Sequence, residues 1–504
     1  MMRLILLVCL ALAFGSVNAQ DSLLLRVDGM NNPLRTRFLE PITFNAASMA
    51  LMGEVTHVEL EGLRQRSGLN GNGLVPNGAQ QLLSRIQTNG VVSKEGQYAY
   101  GMAGYEKGSL SGRNGWNGLD RYRTGPYALI DTIGGKLFYE SYAIRGAMAF
   151  PLRSFILGVG LDYGAKNAYR MSDPRFKATV SDFKVKAGLL RPFKKYDAGV
   201  GVEVGRYSQN ASSRNYQSDR KDYIFYHYGL GSYGKLFSGT IDNSAMDYLG
   251  LDLALNWFFL PASDGDGFYL SGSYHHQQTE AKYGKVHPGV YQSGESELRA
   301  GFWLGETVFR HKMGGFIQCL KGTGTEYIYE KVVVEEQTQL TDYRLLTHSA
   351  KYQLQHSLGG VEYLMVGNLS SSSSLSASGR LFLRDHQETY ATDAVMSYRS
   401  WNSTFDLHWQ QLFSKSWFAV DVGFALQNPL DDSWQGIPVN AIVRYDTEPG
   451  FMVAKQRQTA CSANVTYVKA LKKSGAVKGG LSWSHSRGSY VDQTSFGFSL
   501  GYIF

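Results

Sequence analysis

From about residue 155 onward the chain alternates with a period of two. Phe155, Leu157, Val159, Leu161 and Tyr163 take one parity, and Gly158, Gly160 and Asp162 take the other. Leu249, Leu251, Leu253, Leu255 and Trp257 interleave with Gly250, Asp252, Ala254 and Asn256, and Phe418, Val420, Val422, Phe424 and Leu426 repeat the pattern. Successive side chains of a strand point to opposite faces, so each segment has one apolar face and one small or polar face. In water such strands would pair edge to edge and aggregate. In a closed sheet with lipid outside and an aqueous lumen inside they are satisfied, and alternating segments of about ten residues are the sequence signal of such a barrel.

The connections alternate in length. Short turns fall at 151–154, 192–196, 261–267, 310–313, 413–416 and 472–476, between long polar stretches at 164–181, 208–247, 278–295, 322–345, 387–400, 428–457 and 486–493. Outer-membrane barrels have short periplasmic turns and longer extracellular loops. The expectation is therefore an all-β fold, a transmembrane antiparallel β-barrel of about 16 strands within a range of roughly 14 to 18. Residues 343–376 have room for one strand or for three.

The first residues, "MMRLILLVCLALAFGSVNAQ", have the form of a secretory signal peptide over 1–19, with a basic start, an apolar run and a small-residue cleavage site. Cys9 lies inside that run, which argues against a lipid-anchored cysteine. Residues 20–96 alternate poorly, apart from "EVTHVELEG", and read as an N-terminal segment in the periplasm or inserted in the lumen; 97–504 read as the barrel. Cys319 and Cys461 form one bridge or stay free. With 50 basic and 43 acidic residues, dispersed along the chain, the charge reads as a mixed polar surface, and nucleic-acid binding is disfavoured.

The sequence ends "SFGFSLGYIF", with Phe498, Leu500, Tyr502 and Phe504 at alternate positions. With the leader and the alternating hairpins, this resembles the outer-membrane β-barrel proteins of Gram-negative bacteria, and is similar to an uncharacterised group of large outer-membrane barrels. The resemblance implies location in the cell outer membrane and contact with its lipid. It also implies that Phe498, Leu500, Tyr502 and Phe504 are read by the barrel-assembly machinery. It carries over no active-site residues. The residues before Gln97 are too few for the plug domain of a TonB-dependent receptor, which would also need about 22 strands.

Enzyme chemistry finds little support. Asp264-Gly265-Asp266 and Asp406-Leu407-His408 have the spacing of barrel-protease pairs, but they fall at different depths, and a general base must lie within hydrogen-bond reach of its water. The adjacent pairs His348-Ser349, His356-Ser357 and His485-Ser486 point to opposite faces, as do His275 and His276. Catalytic, metal and cofactor sites are not expected. The Asn-x-Ser/Thr triplets read as chance.

Opposite the apolar parity stand charged residues; facing lipid at a bilayer midplane would cost about 2 to 4 kcal/mol for Arg or Lys, so these positions belong inside. The candidates for lining the lumen are Lys184, Lys186, Glu203, Asp252, Arg299, Arg380, Arg384 and Asp406. Such charges either select solutes or pair to stiffen the wall. The function expected is a porin-like or accessory channel for uptake of a hydrophilic solute, working alone or with an outer-membrane uptake partner. The alternative is a non-conducting structural or assembly partner of another surface, uptake or secretion protein. A filled lumen would argue against an open pore.

Overall fold

The computed structural model describes residues 45–504 except 53–56, 70–79, 114, 132, 217–223, 240–242, 263–264, 306–307, 336–339, 371, 392, 414, 439, 441–447, 472–474 and 491. The leader assigned to 1–19 lies outside the described residues.

Eighteen antiparallel strands close into one barrel. The wall begins with β1 (His57–Leu69), β2 (Gln80–Lys94) and β3 (Gln97–Arg113), then β6 (Gly135–Leu152), β7 (Phe155–Arg170), β8 (Arg175–Pro192) and β9 (Tyr196–Arg214). It continues through β12 (Asn243–Pro261), β13 (Gly267–Tyr283), β14 (Val286–Gly305), β15 (Phe309–Glu335), β16 (Leu340–Ser370) and β17 (Ser373–Tyr390). The last five strands are β18 (Ala394–Phe413), β19 (Ser416–Gln435), β20 (Gln458–Ala470), β21 (Ala476–Gly488) and β22 (Asp492–Ile503). Closure is between the first and last, with Glu59 opposite Ile503 and Gln65 opposite Gly497. Each wall strand then has a neighbour on both sides, and no edge is left to aggregate.

The wall holds more strands than the 16 expected, at the upper end of the range of 14 to 18. Without β1 and β2 the 18 wall strands leave 16, all within 97–504. The segment 20–96, read as lying outside the wall, supplies the other two. The reason is chemical: the outward positions of β1 are Leu60, Gly62, Arg64, Arg66 and Gly68, so the apolar alternation that marks other strands is missing. Residues 343–370 form one strand and Ser373 opens the next.

Outward residues of the lower wall are large and apolar, as with Val200, Val202 and Val204 on β9 and Leu251, Leu253 and Leu255 on β12, all exposed. Short turns at one end include Glu95-Gly96, where Glu95 has φ 53° and Gly96 φ 76°, and Arg153 with φ 57°. At the other end the strands run on past the apolar band. β15 and β16 reach 27 and 31 residues, so most of the stretches read as long loops, 164–181 and 278–295 among them, are largely strand. The turn expected at 310–313 lies within β15. Cys319 and Cys461 are free thiols.

Two of the connections build an inner sheet. Between β3 and β6 lie β4 (Trp116–Asn117), a single-turn helix α1 (Arg121–Thr124) and β5 (Ala128–Asp131); between β9 and β12 lie β10 (Ile224–Gly229) and β11 (Ser232–Gly239). β4, β5, β10 and β11 form a separate four-stranded sheet. A 3-10 helix at Ala46–Met52 packs against β6, β7 and β8. A further helix, α2 (Glu448–Ala454), follows β19. Among the described residues no helix is long and apolar enough to cross a membrane.

Candidate functional site in the lumen

On β8 the buried residues Phe176, Ala178 and Val180 share the parity of Asp182, Lys184 and Lys186, whereas Phe183 and Val185 are exposed. This fixes the inner face. On β9 it carries Glu203 and Tyr207, and on β12 Tyr248 and Asp252, all buried.

The inner sheet packs on that face at the long-loop end. Tyr127, Leu129, Ile224 and Tyr226 from the sheet form one apolar cluster with Phe176, Val180, Tyr207, Tyr248, Tyr291 and Tyr352 of the wall. Tyr127 and Tyr226 stack with their rings 6.2 Å apart. Burying an aromatic side chain in this way contributes about 1.5 to 3 kcal/mol.

Charged groups fix the sheet's position. Arg123 of α1 donates to Asp182 at 3.0 Å and also to Asp252. Burial works against the Arg123 charge, but Asp252 and Asp182 more than offset it and hold its pKa above the ordinary value. Asp120 accepts from Lys166 at 2.9 Å and from the Tyr207 hydroxyl at 3.1 Å. Asp131, fully buried at its side chain, accepts from Arg170 at 2.6 Å. Leu119 N donates to Gln209 Oε1 at 3.0 Å.

At the short-turn end the 3-10 helix closes on the same strands. Ala47 is fully buried beside Leu190, Phe258, Leu260 and Trp303. Gly158 and Gly188 make room for it, since a Cβ at Gly158 would collide with Ala47 N and one at Gly188 with Asn45 Oδ1.

The eight lumen candidates all fall on the inner parity, and each meets a charged or polar partner. Lys184 meets Glu203 at 2.9 Å, and Lys186 meets Asp162 at 2.7 Å and Glu203 at 3.3 Å. Asp252 holds Arg123. Arg299 bonds to Glu297 and, at 2.7 Å, to Glu362, which also takes Lys312 at 3.3 Å and Arg380 at 3.7 Å. Arg384 donates to Gln427 Oε1 at 3.3 Å, and Asp406 accepts from Ser378 at 3.5 Å. Lys312, Glu362, Arg380 and Asp406 line a polar recess of about 280 Å³.

No sequence signal marks Asp120, Arg123 or Asp131, because they stand in a connection with no periodicity to fix their direction. Glu362 falls in the stretch whose strand number the sequence leaves open.

His408 of the Asp406-Leu407-His408 motif binds Asp421 Oδ1 through Nδ1 at 2.6 Å, and Ser376 stands opposite it in register. Ser376 is fully buried, and among the described residues its hydroxyl has no hydrogen-bond partner, while His408 Nε2 faces Gln410 Oε1. That is no activated nucleophile. Among the described residues no group of three or more metal-ligating side chains comes together.

A family model matches residues 74–504, from within the β1–β2 connection to the last residue. The chain belongs to DUF6850, a family of unknown function. No match appears among curated proteins. Solved structures of similar form include BauA, the ferric preacinetobactin receptor of Acinetobacter baumannii, at 9% identity and TM-score 0.39, covering 90% of this chain and 80% of that one. The copper transporter OprC has 8% identity and TM-score 0.39 over 90% and 81% of the two chains. CdiB from Escherichia coli has 8% identity and TM-score 0.36 over 88% and 63%.

Proposed function

We propose that this protein is an outer-membrane β-barrel that is closed at rest and serves as a gated conduit for a hydrophilic solute. The observation that carries the proposal is a folded sheet inside a charge-lined wall, held there by side-chain ion pairs. Apolar residues outside and paired charges inside suit a wall between lipid and water. On β20–β22 the inner face is small and hydroxylic: Ser462 lies opposite Ser484, Ser484 opposite Ser495, and Ser482 opposite Gly497. Such a face passes water-soluble groups without binding them tightly. The inner sheet and the 3-10 helix disfavour a permanently open porin.

Liposome swelling in a neutral sugar tests the reading. Vesicles with wild-type protein should swell slowly, and vesicles with Arg123→Ala, which leaves Asp182 and Asp252 without their inner-sheet partner, should swell faster. Equal rates in both, at the protein-free level, would leave the non-conducting scaffold as the better account.

A further inference from the structure

The outward face of the first strands departs from the rest of the band. Arg64 stands opposite Phe498 on one side and Ser84 on the other, and Arg66 stands opposite Phe496 and Leu82. Phe496 and Phe498 are 60% and 53% exposed, which identifies this face as the apolar outer one. Arg64 and Arg66 are exposed, and among the described residues neither makes an ion pair. Below Arg64 the adjoining strand continues with Leu500, Tyr502 and Phe504, so the two guanidinium groups mark the upper rim of the apolar band, toward the long-loop end. The same rim continues across β3 and β6. Lys107, in register with Ser84, pairs with Glu140 at 3.1 Å, and Lys136 lies over the Phe138 ring at 5.0 Å. Arg64, Arg66 and Lys136 line one groove with Ser109, Ser111 and Phe498.

A cation facing hydrocarbon is costly, and long basic side chains near the interface turn to the headgroup region. There an unpaired guanidinium finds a phosphate and binds it through two donors. We infer that Arg64, Arg66 and Lys136 form a binding site for a phosphorylated lipid of the leaflet at the long-loop end. Its phosphates sit on the cations, its hydroxyls face Ser109 and Ser111, and its acyl chains lie along Phe496 and Phe498. The polar outer face that hides β1 and β2 from sequence patterning is then a lipid site. This rests on the membrane reading above.

Native mass spectrometry of the detergent-solubilised full chain, titrated with a bis-phosphorylated acyl disaccharide lipid and with its dephosphorylated form, tests the inference. Wild-type protein should bind the phosphorylated lipid at least about tenfold more tightly, given near-surface contributions of about fivefold per cation. The triple variant R64Q/R66Q/K136Q should lose that preference. R206Q, which removes an outward arginine of β9, should keep it. No preference in the wild type, or a preference unchanged in the triple variant, overturns the inference. Fractionation of the same proteins separates the two readings. A chain that does not partition with membranes defeats both, whereas one that inserts and fails to discriminate phosphate defeats the lipid site alone.

Discussion

Lys478 of β21 reaches over Gly501 to Glu59 of β1, with Nζ 2.7 Å from Oε1, and so ties the next-to-last wall strand to the first. Glu61 is a second acceptor at 3.2 Å. A Cβ at Gly501 would sit 3.0 Å from Leu60 O and 3.5 Å from Glu59 Oε1, so the glycine leaves the bridge its path. Lys478→Met takes this cation away from two partly buried carboxylates. It should destabilise the barrel by about 1 to 3 kcal/mol, less than a fully buried pair because water still reaches these groups. The urea midpoint in lipid vesicles should fall accordingly, and adding Glu59→Gln and Glu61→Gln should recover most of the loss. An unchanged midpoint in the single variant would show that the bridge adds nothing to closure.

Gly158 is the seat of the 3-10 helix. Gly158→Val places methyl groups where Ala47 stands and should expel the segment 45–52, leaving the wall intact. Limited proteolysis between Ser48 and Met52 should become at least about tenfold faster, because cleavage follows the population of the opened state. Equal cleavage rates would mean that the helix is not held by this contact.

Strand order sets a topology that chemical labelling reads directly. Asn210 faces outward on the upper part of β9, and Lys194 lies in the short β8–β9 turn. Asn210→Cys should react with an impermeant maleimide on intact cells and Lys194→Cys should not. Labelling of Lys194→Cys alone would invert the orientation.

The fold is legible in the sequence wherever hydrophobic contrast exists. Strands such as β9 and β12 carry Val or Leu against Gly, Asp and Asn, and their existence, parity and order can be read residue by residue. On β13 the outward positions His276, Gln278 and Glu280, opposite Leu253, Leu251 and Leu249 of β12, are as polar as the inner ones, so strand is indistinguishable from loop there. β1 is hidden for the same reason, with Arg64 and Arg66 at outward positions. The inner parity of Lys184, Arg299 and Asp406 is legible, but their partners are not, since pairing depends on register between strands. The inner sheet leaves no trace, because its strands are short and packed inside the wall.

Phe504 donates its backbone N–H to Val58 O at 2.9 Å, and its ring meets Tyr502 edge-on at 4.7 Å. Deleting Phe504 should slow assembly and leave unfolded chain in the periplasm, seen as loss of heat-modifiable migration on a gel. Full heat-modifiable protein in the variant would remove Phe498, Leu500, Tyr502 and Phe504 from the assembly role proposed for them.

What the inner sheet does to the lumen decides whether this barrel is a gated conduit. Single-channel recording in planar bilayers can compare the wild-type protein with a variant in which residues 223–240, carrying β10 and β11, are replaced by a short Gly/Ser linker. The wild type should be silent or open only briefly. The variant should show stable conductance steps whose ion selectivity shifts toward cations on adding Arg380→Gln and Arg384→Gln, most visibly at low salt, where charge is least screened. A wild type that conducts steadily would contradict closure at rest, and a folded variant that stays silent would contradict the conduit itself.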